Sequence, residues 1–274
     1  MSAAESGTPT PARGLPTSIA QLREVTQPPE VRNRRNAEHW TAALYLRDLS
    51  PYLTKPLLHL GASANSVTVL MILTGWATAS ALLIPGPLGA ILALVLGQLQ
   101  MLFDCSDGEV ARWRGTKSPL GPFLDAVGHY STELLIALAL GVRAAAWPID
   151  TPDDLIWLLL GALLALWLVV NKALNDMVRV ARAQAGLTVV VSAAEAAPRA
   201  GLLTMIRRAA KLLPLHRILH SVELTMLIAA TAVLGAFIGH PEADRWLLLV
   251  LTPVAFLVTI GHCIAIVSSG RLRA

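Results

Sequence analysis

The chain has 274 residues, of which 54% are hydrophobic, 15% charged and 5% aromatic, with a formal net charge of +4 at pH 7; an ordinary soluble domain carries about 25% charged residues. This composition excludes a disordered chain, and a mean hydropathy of +0.58 argues against a water-soluble globule. The apolar residues gather into runs long enough to cross a bilayer, which takes about 20 residues per helix, so the sequence predicts an all-α integral membrane protein.

Residues 1–36 are rich in Pro, Thr, Ser and Ala and lack the apolar core of about 7 to 15 residues that marks a signal peptide; they are expected to form a flexible cytoplasmic tail. Over 37–62, Trp40, Leu44, Leu53, Leu57 and Leu58 alternate with Arg47, Asp48, Lys55 and His59. That pattern predicts N-terminal juxtamembrane helices lying in the headgroup plane, broken into pieces by Pro51 and Pro56. The membrane domain is expected over 63–270, with six transmembrane helices at 67–84, 87–103, 121–147, 155–170, 219–239 and 246–267. Their backbones must be helical because hydrocarbon offers no partner to an open strand edge.

The connections sort by charge. Twenty of the 22 Lys and Arg residues lie in the N-terminal region, after the second span, after the fourth span or at the C-terminus, and only Arg143 and Arg245 lie in the other connections. Basic residues accumulate on the cytoplasmic side, so both termini are expected in the cytoplasm of a cell-membrane protein. The pI near 9.4 then reflects orientation and anionic headgroups rather than nucleic acid. Trp40, Trp113, Trp147, Trp157 and Trp246 are expected as interfacial anchors. Cys105 and Cys263 have no spacing that suggests zinc or a disulfide framework.

Charge at membrane depth is costly and marks functional sites, and it is concentrated between the second and third spans. Asp104, Asp107, Gly108, Glu109, Ala111 and Arg112 are followed, after eight residues, by Gly121, Asp125 and His129. On helices, Asp104, Asp107 and Ala111 share one face, as do Asp125 and His129. Carboxylates converging at a bilayer edge repel one another unless a cation lies between them, and oxygen ligands suit magnesium, manganese or calcium. Such a cation beside Arg112, Arg114 and Lys117 would neutralise a diphosphate substrate.

The order D-x2-D-G-x2-A-R-x8-G-x3-D-x3-D is the signature of the CDP-alcohol phosphotransferases, and this sequence resembles it at Asp104, Asp107, Gly108, Ala111, Arg112, Gly121 and Asp125. Ser63-Ala64-Asn65-Ser66-Val67-Thr68 is similar to the family's Pro-Asn-x-x-Thr entry to the first span, with Ala64 in place of proline. The resemblance covers about residues 45–270 and implies six helices with cytoplasmic ends. It also implies transfer of a phosphate-bearing group from a CDP-linked donor, often CDP-diacylglycerol, to an alcohol, with release of CMP. By the same resemblance Asp104, Asp107 and Asp125 bind a divalent metal, Mg2+ or Mn2+. The resemblance further implies that Gly108, Ala111, Arg112 and Gly121, with Ser118 as a weaker candidate, shape the CDP pocket, and that the chain forms a homodimer.

His129 stands where the family has a fourth aspartate. Three roles are open to it: general base for the acceptor hydroxyl, for which imidazole is chemically suited; metal ligand or acceptor contact; or a lesion that leaves an inactive binding protein. Further along, Asn171, Asn175, Arg179 and Arg182 form a polar stripe; Lys172, Arg179 and Arg182 either reach headgroups or bind an acceptor's phosphate. Arg207, Arg208, Lys211, His216 and Arg217 read as a positive flank or a phosphate-binding group. His220 and Glu223 share a face and are expected to pair, and His262 is expected to serve helix packing. Phospholipid biosynthesis from CDP-diacylglycerol is the first reading. The alternatives are a soluble donor such as CDP-inositol, an inactive CDP- and metal-binding paralogue, or a transporter, although transporters commonly carry repeats and midplane sites.

Overall fold

The computed structural model describes residues 14–32, 41–116, 118–146, 149, 151–187, 219–238 and 241–272, and every regular element among them is helical. In chain order these are α1 (Ile19–Thr26), α2 (Pro29–Arg32), a π-helical turn (Ala42–Leu46) leading into α3 (Arg47–His59), α4 (Ala64–Leu82), α5 (Gly86–Arg114), α6 (Leu120–Ala144), α7 (Leu155–Gln184), α8 (Ser221–Ile238) and α9 (Glu242–Ser268), with short 3-10 turns at Pro152–Asp154 and Gly270–Leu272. Among the described residues, α4, α5, α6, α7 and α9 are long and apolar enough to cross a bilayer. The remaining expected span, 219–239, is represented by α8, whose apolar stretch Ser221–Phe237 is shorter than the about 20 residues a perpendicular crossing requires. Trp40, Lys117, Trp147 and the basic group from Arg207 to Arg217 lie outside the described residues.

The chain divides into two compact units, Met1–Thr74 with Gln98–Gly128 and Gly75–Gly97 with His129–Ala274. The described part of the first is built on a core of Leu22 from α1, Leu57 and Leu58 from α3, Val67 from α4, and Val110 and Trp113 from α5. The stretch expected to be a tail thus holds α1 and α2. Ser18 caps α1 by accepting the Gln21 N–H at 3.1 Å, an arrangement Ser favours, and Leu22 and Thr26 are fully buried. Eight residues with two inward positions leave little trace in a composition dominated by Pro and Thr. Trp113 is likewise buried rather than an interfacial anchor, and its Nε1 donates to the Gly14 carbonyl at 3.1 Å.

The prolines of α3 correct the expectation of a broken segment, because both lie inside one continuous helix. Proline in a helix frees the carbonyl four residues earlier. For Pro51 that carbonyl belongs to Arg47, and the Gln27 side-chain amide donates to it at 2.5 Å. A tertiary hydrogen bond replaces the missing helical one.

In the second unit, Ala and Leu from α4 through α9 form a single core cluster. The helices α6 and α7 approach closely: a Cβ added to Gly161 would stand 2.7 Å from the Gly141 Cα and 3.1 Å from the Ala137 carbonyl oxygen. Small residues let membrane helices approach this closely. Gly161→Ala is therefore expected to destabilise the protein by about 1–3 kcal/mol, the usual cost of overpacking, read as a lower Tm in detergent. Gly261→Ala, on α9 with nothing within 4 Å of the new Cβ, serves as the control and should leave Tm unchanged.

The two basic residues outside the main charge pattern are both held by acidic partners. Arg143 is buried, donates to the carbonyls of Leu82, Ile84 and Gly86 at 3.0–3.2 Å, and lies 3.2 Å from Asp244. Arg245 pairs with Asp154 at 2.9 Å, donates to the Ala144 carbonyl and covers the Trp157 ring. Each helps tie helix ends together, which is how a guanidinium is accommodated beside hydrocarbon. His262 has its Nδ1 2.9 Å from Asn171 Oδ1.

Candidate active site

With 29 residues, α5 is about 43 Å long at 1.5 Å per residue, against about 30 Å of hydrocarbon. Its apolar part fills the first two thirds, about the length of one crossing, and the polar turns begin at Asp104. The helix ends at Gly115, whose φ of +65° is the left-handed conformation glycine adopts cheaply.

Within the first unit, the start of α4 braces this polar end. Ser63 Oγ accepts the Ser66 N–H at 3.1 Å and caps α4. One turn later, Thr68 Oγ1 donates to Asp107 Oδ2 at 2.7 Å. Asn65 Oδ1 lies 3.8 Å from where a Cβ on Gly121 would stand, so the Asn-x-x-Thr element meets both halves of the signature. Ser118 Oγ accepts the Leu120 N–H at 3.1 Å at the start of α6.

Gly108 and Arg112 are one turn apart on α5. A Cβ at Gly108 would stand 3.0 Å from Arg112 Nη1 and 3.3 Å from Nη2, so the guanidinium lies close over the glycine, and a side chain there would make it shift by a few tenths of an ångström. Arg112 Nε donates to the Thr26 carbonyl at 2.5 Å. Ala111, beside it, is half-buried.

Asp104 on α5 and Asp125 on α6 belong to the first unit, and α6 carries on past Gly128 to place His129 one turn beyond Asp125. Each of the three offers one ligand atom, and these atoms lie within 4.8 Å of one another. Two carboxylates and an imidazole are donors suited to Mn2+ and compatible with Mg2+, so the side chains present fit a divalent cation. Asp107, also expected as a ligand, stands one turn from Asp104 with its carboxylate on Thr68.

The basic residues expected on the acceptor side belong to α7 and the second unit, and each has a partner there. Lys172 Nζ is 2.7 Å from Glu133 Oε1, Arg179 is 2.5 Å from Asp176, and Arg182 donates to the Arg271 carbonyl at 2.7 Å. His220, expected to pair with Glu223, has its Nδ1 3.3 Å from Glu133 Oε1. Glu133 was not singled out by sequence, although its spacing of four and eight residues from His129 and Asp125 places it on their face of α6. Tyr130 donates to Asp176 at 2.6 Å.

A family model described as CDP-alcohol phosphatidyltransferase matches residues 62–238. The chain belongs to this family. The match spans α4 to α8 and contains the whole signature, including Asp104, Asp125 and His129. Family members transfer a substituted phosphate group from a CDP-alcohol to an alcohol, and are generally dependent on a divalent metal; as one of them, with several apolar helices of spanning length, this chain is an integral membrane protein of transferase type. No curated protein matches the chain.

Proposed function

We propose that this CDP-alcohol phosphatidyltransferase family member moves a phosphate-bearing group from CDP-diacylglycerol to an alcohol in phospholipid biosynthesis, releasing CMP. The observation that carries this reading is the meeting of Asp104, Asp125 and His129 within 4.8 Å at the polar end of α5. The acceptor oxygen attacks the phosphorus that bears the lipid. The bond from that phosphorus to the oxygen shared with the cytidine-bearing phosphate breaks, and CMP leaves with the electron pair. An imidazole nitrogen of His129 takes the acceptor's proton, as a general base does. Asp104, Asp107 and Asp125 hold the divalent metal, which neutralises diphosphate charge when bound.

Gly108, Ala111, Arg112, Ser118 and Gly121 form the donor pocket, with Arg112 supplying a guanidinium suited to phosphate oxygens. Lys172, Arg179 and Arg182 serve a phosphorylated acceptor, each exchanging its present partner for the acceptor's phosphate. The distribution of basic residues supports a site and both termini on the cytoplasmic side of the cell membrane, and the protein acts as a homodimer. A second reading, favoured by the same 4.8 Å grouping, makes His129 a metal ligand.

The test is CMP release by the purified protein with CDP-diacylglycerol or CDP-inositol, over several alcohols, with Mg2+ or Mn2+. Release from CDP-diacylglycerol is expected. Release from CDP-inositol alone would replace the donor; CDP binding without turnover would indicate an inactive paralogue; and metal-dependent flux in liposomes with no CMP release would indicate a transporter.

A further inference from the structure

Glu109 lies inside the signature, between Gly108 and Ala111, yet no role in transfer falls to it. It is 1% exposed and faces the core of the first unit. Its Oε1 accepts from the Gln27 side-chain amide at 2.8 Å and from Ser50 Oγ at 2.5 Å, and its Oε2 accepts from Thr54 Oγ1 at 2.6 Å. Gln27, Ser50 and Thr54 are themselves buried. A carboxylate at this depth is accommodated by several charge-assisted hydrogen bonds, and here the donors come from two elements that precede the membrane domain, the C-cap of α1 and helix α3. Gln27 spends its two amide hydrogens on Glu109 and on the Arg47 carbonyl that Pro51 frees, so the end of α1 is pinned to α3 and α5 together.

The residue before Gln27 is Thr26, whose carbonyl accepts from Arg112 Nε at 2.5 Å. The N-terminal helix therefore ends with one residue anchored by Glu109 and its neighbour holding Arg112, three positions along α5. We infer that Glu109 is a positioning residue: by anchoring Gln27 it holds the Thr26 carbonyl where it sets the Arg112 guanidinium over Gly108, so the segment 18–27 completes the donor pocket from outside the membrane domain. This rests on the reading that Arg112 belongs to the donor pocket. The cluster contributes orientation and exchanges no proton or bond with the substrate.

The test uses the full chain in phosphatidylcholine nanodiscs, with CDP as the probe in the presence of Mn2+. Gln27→Leu keeps the side chain's volume and removes both donors; Glu109→Gln keeps the shape and removes the charge. Each is expected to weaken CDP binding and raise KM for the donor by about tenfold, as loss of a supporting partner behind a ligand does, with kcat changed by less than about twofold. The double variant Gln27→Leu with Arg112→Lys should bind CDP no more weakly than Arg112→Lys alone, because both changes remove one coupled unit. Should Glu109→Gln not fold, Gln27→Leu carries the test with Ser50→Ala, which should shift CDP affinity in the same direction by a smaller factor. A lower Tm with CDP affinity and donor KM unchanged, or effects that multiply in the double variant, would overturn the inference and leave the cluster a purely structural one. If Arg112→Lys weakens CDP binding while Gln27→Leu does not, the inference alone fails. If Arg112→Lys binds CDP as wild type does, the donor-pocket reading fails and takes the inference with it.

Discussion

Replacing Asp104 with asparagine is expected to lower the rate of CMP release by about 10²–10³-fold, the scale on which loss of a preorganised charge at a reacting centre is felt. Asp104 and Asp125 approach one another from α5 and α6, with ligand atoms within 4.8 Å. Two carboxylates so close repel in the absence of a cation, and more strongly beside hydrocarbon than in water. Asp104→Asn keeps the size and one carbonyl oxygen while removing the charge. The variant should therefore bind Mn2+ at least tenfold more weakly, yet melt in EDTA at a temperature equal to or above that of wild type. Opposite signs on activity and apo stability distinguish a metal site from an ordinary polar cluster. Isothermal titration with Mn2+, CMP-release kinetics and Tm in EDTA decide it, and activity within tenfold of wild type would remove Asp104 from the site.

The second large effect is expected at His129. Loss of a general base costs about 10²–10⁴-fold in rate, so His129→Ala should fall in that range in kcat with Mn2+ affinity nearly intact. If metal affinity falls in parallel, His129 is a ligand, and the reading in which it sits among the metal's donors replaces the base reading. His129→Asp restores the family's fourth aspartate and should remain active, with a preference shifted from Mn2+ towards Mg2+, because a carboxylate is the harder donor. Activity in His129→Asp together with none in wild type would show that the natural chain has lost catalysis.

Long apolar runs and the spacing of the signature were legible without coordinates because both are local. Helix periodicity alone aligns Asp125 with His129, and hydrophobic length alone marks α4 to α7 and α9 as spanning helices. What local reasoning missed depends on neighbours distant in the chain. Pro51 reads as a breaker until Gln27, 24 residues earlier, is seen to take up the carbonyl it frees. Lys172 pairs with Glu133, 39 residues earlier in the chain and 2.7 Å away. Trp113 reads as an interfacial anchor until the N-terminal segment is found covering it.

The opening composition, poor in charge and rich in apolar runs, was sufficient to determine a helical membrane protein and to isolate the few polar residues that needed explaining, since hydrocarbon tolerates neither open backbone nor unpaired charge. Tertiary structure decided which of those residues lie near one another. Asp104 lies near Asp125 and His129, and Asp107, one turn away, accepts a hydrogen bond from Thr68. Glu109, in the same signature, turns inward to hold the N-terminal helix. The physical reason is directional: spacing along a helix states which residues share a face, but only the packing of other segments determines what each face meets.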